Sequence, residues 1–186
     1  YIGTDNYQSG GQAVELIRQE AGDHARVGIL APDLDTGLCS VSGRLEGFKA
    51  AAEEAGLSVV GTCETTYDSL SALEAIRTFL ADHPDVEVLY CAEAVSGQAA
   101  ADVIRELGLE DELMVLAYDI NSRIREDLLD GAMDITLSQD TKAVGEACAS
   151  LLLELAKNRD MEQGTDVFLS CIPLTARDLE DKTDET

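Results

Sequence analysis

The chain has 186 residues, of which 37 are Asp or Glu and 13 are Lys or Arg, so its formal net charge is −24 at pH 7. A surface of this sign repels phosphate backbones, which argues against direct nucleic-acid binding by these residues. No apolar run approaches the roughly 18 residues needed to span a bilayer, and the length suits one large domain with a substantial core.

Short β-rich runs alternate with amphipathic helical segments along the chain. The predicted strands are residues 1–4, 26–31, 57–63, 86–91, 113–118, 133–138 and 166–171. The predicted helices are residues 8–21, 41–55, 69–82, 97–107, 121–130 and 140–158. Apolar strands separated by helices are typical of βαβ units with right-handed crossovers. The sequence therefore predicts an α/β fold with a doubly wound parallel sheet, followed by an acidic tail over residues 175–186.

The five cysteines are widely spaced and form no CxxC pair; they are Cys39, Cys63, Cys91, Cys148 and Cys171. Three of them lie in or at the end of predicted strands, which favours buried free thiols. Free thiols are typical of a reducing compartment. Because the chain also does not begin with a basic-then-apolar segment, we expect a cytoplasmic location, with an exported or lipid-anchored protein as the alternative.

Polar side chains follow several predicted strands at the point where each strand ends. In an open parallel sheet, ligands bind at the carboxyl ends of the strands. The candidate ligand-binding residues at this edge are Thr4, Asp5, Arg44, Tyr67, Glu93, Asp119 and Gln139. Several acceptors, one bidentate guanidinium and one aromatic ring suit a neutral polyhydroxylated ligand, whereas the negative charge does not suit a phosphate.

Two motifs suggest phosphate chemistry but lack its other parts. Gly10 and Gly11 follow a strand, yet no GxGxxG or GxxxxGK[ST] motif is present, so the pair more simply eases the start of a helix. Asp33 and Asp35 after a strand resemble the nucleophile loop of Mg-dependent phosphatases, but no lysine follows a strand to balance the phosphate. The phosphatase is kept as a remote alternative.

Other catalytic arrangements are weaker still. Glu93 and Asp119 are candidates for two carboxylates flanking a glycosidic bond, but roles as ligand acceptors or helix N-caps are better supported. His24 and His83 lie in predicted turns, and no His/Cys group has the spacing of a metal site. The sequence thus predicts a protein that is not an enzyme, with no catalytic residue, metal or cofactor.

Four stretches, in this order, resemble the type I periplasmic-binding-protein family, which includes ribose-binding protein and the effector domains of LacI-type regulators. They are IGTDNYQSGGQAVELI, SVSGRLEGFKAAAEEAG, HPDVEVLYCAEAVSGQAAADVIRELGL and VLAYDINSRIREDLLDGAMDITLSQDTKAVGEACASLLLEL. The resemblance covers nearly the whole chain. Family members are two-lobed clamshells that hold a sugar in the cleft between the lobes.

The resemblance implies a role for the candidate residues in the first half of the chain. Thr4 and Asp5 would lie on the first crossover between the lobes, at the mouth of the cleft. Arg44 of GRLEGF would donate hydrogen bonds to sugar hydroxyls, and Tyr67 of TTYDS would lie at the edge of the ligand.

In the second half, the resemblance makes Asp119 of AYD the acceptor for paired hydroxyls and Gln139 of SQD an amide at the second crossover. The family commonly has Asn-Asp where this chain has Glu93-Ala94. An ionised acceptor thus replaces an amide, which admits an amino- or N-acetyl-sugar or another ligand that donates hydrogen bonds.

The resemblance also implies a domain arrangement. Residues 1–139 would form the C-terminal lobe, residues 140–165 a helix of an N-terminal lobe preceding Tyr1, and residues 166–174 a returning strand. That helix has an apolar stripe that needs a covering surface. The stripe consists of Val144, Ala147, Cys148, Leu151, Leu152 and Leu155. We expect it to pack in a non-native place or against another copy.

Two functions share this fold. The thiols, the phrase GLCSVSGRLEGF and Gly97 after EAVS favour the effector domain of a LacI-type regulator over the substrate-binding protein of a sugar ABC transporter. In the regulator, a sugar or amino sugar would control lobe closure in a homodimer. Operator DNA would be contacted only by an upstream headpiece, and no membrane contact by this chain is expected.

Overall fold

The computed structural model describes residues 1–32, 39–66, 69–157 and 166–180. Its strands are β1 (Ile2–Thr4), β2 (Arg26–Pro32), β3 (Ser58–Thr65), β4 (Val88–Cys91), β5 (Met114–Tyr118), β6 (Ile135–Gln139), β7 (Val167–Leu169) and β8 (Cys171–Leu174). Its helices are α1 (Asn6–Ala21), α2 (Cys39–Ala55), α3 (Ser69–Asp82), α4 (Ala94–Leu107), α5 (Ser122–Leu129), α6 (Thr141–Lys157) and α7 (Ala176–Glu180). None of the helices in these ranges is long and apolar enough to cross a membrane.

Six strands form one sheet in the order β3-β2-β4-β5-β6-β8, and β1 pairs with β7 in a separate parallel ribbon. The five strands from β3 to β6 are parallel to their neighbours, while β8 is antiparallel to β6. The predicted α/β fold is confirmed, with an antiparallel edge strand added.

The sheet is buried on both faces. Helices α1 and α2 contribute to the core on one face, through residues such as Ile17 and Phe48. Helices α3, α4 and α5 contribute to the core on the other, through residues such as Ile76. Consecutive residues of β4, Leu89 and Tyr90, belong to opposite cores and are both fully buried. This two-residue alternation explains why the strands are apolar at nearly every position.

Side-chain caps set the helix starts earlier than predicted. Helix α1 begins at residue 6 rather than 8, because Asp5 accepts a hydrogen bond from the backbone N of Gln8 at 2.9 Å. Helix α4 begins at residue 94 rather than 97, because Glu93 accepts hydrogen bonds from the backbone N atoms of Val95 and Ser96. An acceptor at the N-cap satisfies donors that a helix leaves unpaired.

The C-terminal region differs from its prediction. The returning strand expected over residues 166–174 is two strands, β7 and β8. The acidic tail expected over residues 175–186 contains a short helix, α7, at residues 176–180. Leu179 is only 4% exposed and belongs to the core beside α5, and Thr175 donates from its backbone N and its hydroxyl to Asp178. One buried leucine and one cap thus anchor a short helix. Residues 181–186 lie outside the described ranges.

Helix α6 has no buried residue. It lies beside β1 and β7, and Leu152 and Leu153 are 66% and 62% exposed. Phe168 of β7 is 58% exposed as well. The described residues of this chain therefore cover the apolar stripe of α6 only in part: Val144, Ala147, Cys148 and Leu151 are half-buried, and Leu152 and Leu155 are exposed.

The prediction of buried free thiols is confirmed for Cys63, Cys91 and Cys171. Burial and the nearby Glu64 carboxylate raise the pKa of Cys63 to about 11, and burial raises the pKa values of Cys91 and Cys171. These thiols are therefore protonated at neutral pH, which suits a role in packing.

Candidate functional site

The strand order reverses at β2. Strand β3 lies on one side of β2, and the next strand along the chain, β4, lies on the other side. Such a reversal opens a crevice at the carboxyl ends of the strands, where ligands bind in open α/β sheets. Arg44 on α2, Ala92 after β4, Asp119 after β5 and Gln139 at the end of β6 lie at this edge.

Arg44 is the centre of the site and is only 4% exposed. Its Nε donates to Asn6 Oδ1 at 3.2 Å, and its Nη1 donates to the carbonyl oxygen of Ala92 at 3.0 Å. Its Cζ lies 3.9 Å from the centroid of the Tyr118 ring. A buried charge needs such partners, and here all three are uncharged.

Asp119 is held in one conformation by its neighbours. Its backbone N donates to the carbonyl oxygen of Leu137 at 2.9 Å, and its own carbonyl oxygen accepts from Thr136 Oγ1 at 2.5 Å. Its φ of 66° lies in the left-handed region, which Asp tolerates better than most residues. Contacts on both sides of the residue thus fix the direction in which its carboxylate leaves the backbone.

A chain of hydrogen bonds joins three of the predicted site residues. Thr4 Oγ1 donates to Gln139 Oε1 at 3.2 Å, and Gln139 Nε2 donates to Asp119 Oδ1 at 2.7 Å. Since the amide oxygen accepts and the amide nitrogen donates, the orientation of Gln139 is determined. This chain of bonds fixes the Asp119 carboxylate from the side of Oδ1.

The other two predicted carboxylates hold helix N-termini. Asp5 Oδ1 accepts from Gln8, as described above. Glu93 Oε2 accepts from Val95 N at 2.5 Å, and Oε1 accepts from Ser96 N at 2.6 Å and from the Ser96 hydroxyl. Both oxygens of Glu93 are therefore engaged, although it follows Ala92 directly. Tyr67 lies outside the described residues.

Several residues of the site were not predicted from the sequence. Asn6 bonds Arg44, and Tyr118 lies under the guanidinium. The Tyr118 hydroxyl donates to Ser9 Oγ at 3.4 Å and lies 3.2 Å from the Tyr90 hydroxyl. Burial raises the pKa values of both tyrosines, so they remain neutral. For the two tyrosines, the signal in the sequence was a tyrosine near the end of an apolar strand. Ordinary core residues give the same signal.

The arrangement is suited to binding rather than to chemistry. It offers guanidinium donors, a fixed carboxylate acceptor and an oriented amide, which can hydrogen-bond neighbouring hydroxyl groups. Within the described ranges, no group of His, Cys, Asp and Glu residues could hold a metal ion. Asp33 and Asp35, the basis of the phosphatase alternative, lie outside those ranges.

Comparison with known proteins gives consistent matches. The HTH-type transcriptional regulator CelR of Thermobifida fusca is 28% identical over 158 residues, which are 83% of this chain and 44% of CelR. The D-allose-binding periplasmic protein of Escherichia coli is 22% identical over 161 residues, which are 85% of this chain and 51% of that protein. The chain thus spans about half the length of these relatives.

A solved structure extends the match to three dimensions. An ABC transporter solute-binding protein of Burkholderia graminis, in complex with D-arabinose, superposes with a TM-score of 0.83 at 26% identity. The superposition covers 96% of this chain and 62% of that one. The family model for the periplasmic binding protein domain matches residues 1–160. The resemblance seen in the sequence is therefore confirmed, and the chain belongs to the periplasmic binding protein domain family.

Proposed function

We propose that this chain binds a sugar or amino sugar as part of the effector domain of a LacI-type transcriptional regulator. The ligand class is supported by two groups at the same edge of the sheet. One is a buried guanidinium whose partners are uncharged, and the other is a carboxylate held in one orientation. Arg44 supplies charge-assisted donors beside Ala92 at the end of β4, and Asp119 supplies an acceptor at the end of the neighbouring strand β5. Neighbouring hydroxyls of a sugar present both the acceptors and the donors that this pair requires.

The remaining predicted residues take supporting roles in this proposal. Thr4 and Gln139 orient Asp119, and Asp5 and Glu93 fix the starts of α1 and α4 near the ligand. Tyr67 would close the edge of the site. The proposal is non-enzymatic, because the family consists of ligand-binding proteins and no reaction is needed to explain the arrangement.

The regulator is favoured over a transport receptor by two observations. CelR, a transcriptional regulator, is among the relatives, and the three buried free thiols suit a reducing compartment. The transport alternative is supported by the D-allose-binding relative and the D-arabinose-bound structure. The gene region upstream of this chain discriminates between them: a basic helix-turn-helix supports the regulator, and a signal peptide or lipobox supports the receptor.

The exposed face of α6 supports a second lobe. Leucines of α6 and Phe168 of β7 are exposed, and both α6 and β7 lie beside β1. The relatives are about twice as long as this chain. We propose that residues 1–139 form the C-terminal lobe and that the helix within residues 140–165 packs against a lobe built from other residues. In the regulator, two such subunits would form a homodimer that contacts operator DNA through the headpiece.

Thermal unfolding of the full-length parent protein with pentoses, hexoses and amino sugars tests the ligand class. A specific sugar at 100 times its Kd should stabilise the protein by about 2.7 kcal/mol. Arg44→Ala and Asp119→Ala should each abolish the shift. Arg18→Ala, which removes a half-buried arginine paired with Asp23 on the far half of α1, is the control and should respond like the wild type. A full response from either site variant would refute the assignment of the site.

A further inference from the structure

The backbones of α1 and α2 touch. A Cβ on Gly10 of α1 would overlap the carbonyl oxygen of Arg44 and lie 2.5 Å from the backbone N of Phe48. A Cβ on Gly47 of α2 would overlap the carbonyl oxygen of Tyr7 and lie 3.0 Å from its Cα. Because the obstructing atoms belong to the backbone, neither glycine can become alanine unless the helices separate.

This contact is adjacent to the buried guanidinium. Gly10 touches the backbone of Arg44 itself, and a Cβ on Gly43 would lie 3.1 Å from the Cβ of Asn6. Gly43 and Gly47 are four residues apart, so they lie on the same face of α2. Where α1 and α2 meet in this way, Asn6 Oδ1 lies 3.2 Å from Arg44 Nε. The separation of the two backbones therefore sets the length of that hydrogen bond.

We infer that Gly10, Gly43 and Gly47 are positioning residues for Arg44: by letting α1 and α2 touch, they hold its guanidinium between Asn6, Ala92 and Tyr118. The bond to Asn6 is already near the upper limit for an N–H···O hydrogen bond, so a further separation of a few tenths of an ångström weakens it. The guanidinium then has one fewer anchor and more freedom to rotate about its remaining contacts. The effect on a ligand rests on the proposed function, whereas the effect on Arg44 does not.

The helix boundary supports this role for Gly10. The sequence suggested that Gly10 and Gly11 ease the start of a helix, but α1 begins at Asn6 and the pair lies within it. A glycine inside a helix costs about 1 kcal/mol relative to alanine, so its presence calls for a compensating contact. Only Gly10 has one this close, since a Cβ on Gly11 would lie at an ordinary 3.8 Å from the Cβ of Ala51.

Alanine variants at three glycines form a graded test in the full 186-residue chain. The probe is the NMR signal of the Arg44 Nε–H group, assigned by its loss in Arg44→Lys. The nearby Tyr118 ring gives this proton a ring-current shift that depends on its position. We expect no change in Gly11→Ala, a measurable shift in Gly43→Ala and the largest shift in Gly10→Ala.

The outcomes separate positioning from ligand binding. A folded Gly10→Ala or Gly43→Ala with the Arg44 signal at its wild-type position overturns the inference, as does an equal shift in Gly11→Ala. If Gly10→Ala does not fold, Gly43→Ala decides alone, because its closest neighbour is a side-chain atom of Asn6. Where a sugar is bound by the wild type, Gly10→Ala should weaken its affinity about tenfold, as expected for one hydrogen bond to a charged group. If the signal shifts but even the wild type binds no sugar, the positioning role stands and the proposed function fails.

Discussion

Helices α2 and α6 have the same length, 17 residues each, and both have an apolar stripe. The stripe of α2 is buried against the sheet; it consists of Val41, Leu45, Phe48 and Ala52. The stripe of α6 has no buried residue, although β1 and β7 lie beside it. An amphipathic pattern therefore predicts that a helix needs a partner, but not whether the chain itself supplies that partner.

The largest expected difference between the two helices is in stability. Phe48 is fully buried and its ring stacks on Tyr90 at 3.9 Å between centroids. Phe48→Ala should lower the free energy of unfolding by about 3 to 5 kcal/mol, measured by urea denaturation. Leu152→Ala on α6 should cost less than about 0.5 kcal/mol in this chain, because the side chain is already in water.

The same pair of variants tests whether α6 has a partner in a longer protein. In the full-length parent, Leu152→Ala should become costly, since the proposed second lobe would bury this leucine. An unchanged small cost there would contradict the proposed domain arrangement. Phe48→Ala serves as the reference, because its surroundings lie within this chain and its cost should be the same in both proteins.

A smaller effect is expected at Asp119, the residue that follows β5. Asp119 has a φ of 66°, which glycine adopts freely and alanine does not. Asp119→Ala and Asp119→Gly both remove the carboxylate, but the alanine variant should be less stable by about 1 kcal/mol, measured by urea denaturation. Equal stabilities would mean that the backbone relaxes away from this conformation.

The last effect appears only at alkaline pH and concerns the thiols. Burial raises the pKa of Cys63 to about 11, above its ordinary value, so folding favours the protonated thiol. Its contribution to stability is complete below the unfolded pKa of about 8.5 and is lost as pH rises towards 11. Cys63→Ala should therefore flatten the fall in unfolding free energy over this range, measured by urea denaturation at successive pH values.

The outcome for Cys63 is decided by the slope of this profile. If the unfolding free energy of Cys63→Ala falls as steeply as that of the wild type at alkaline pH, the fall does not come from this buried thiol.

The sequence predicted the elements that have a regular apolar pattern. The apolar runs of β2, β4 and β5 and the periodic helices α3 and α6 were located within a few residues. Helix α7 was missed because it depends on a single buried residue, Leu179, too little to give a periodic pattern. Strand β8 was not distinguished from β7, because the predicted returning strand over residues 166–174 spans both.

The site was predicted in part. The rule that ligands bind at strand ends selected Thr4, Asp119 and Gln139, which the structure joins by hydrogen bonds. It did not select Asn6 or Tyr118, because their contacts with Arg44 depend on the distance between α1 and α2 and on the face of β5. Such distances follow from tertiary packing and not from spacing along the chain.

The ribbon of β1 and β7 has a mechanical consequence. Within the described residues, its two strands pair with each other and with no strand of the large sheet. Strand β1 leads into α1 and β7 leads into β8, so each strand of the ribbon continues into an element packed with the large sheet. Thr4, the last residue of β1, also bonds the Gln139 side chain. A rotation of the ribbon relative to the large sheet would therefore move the Gln139 amide and, through its hydrogen bond, the Asp119 carboxylate.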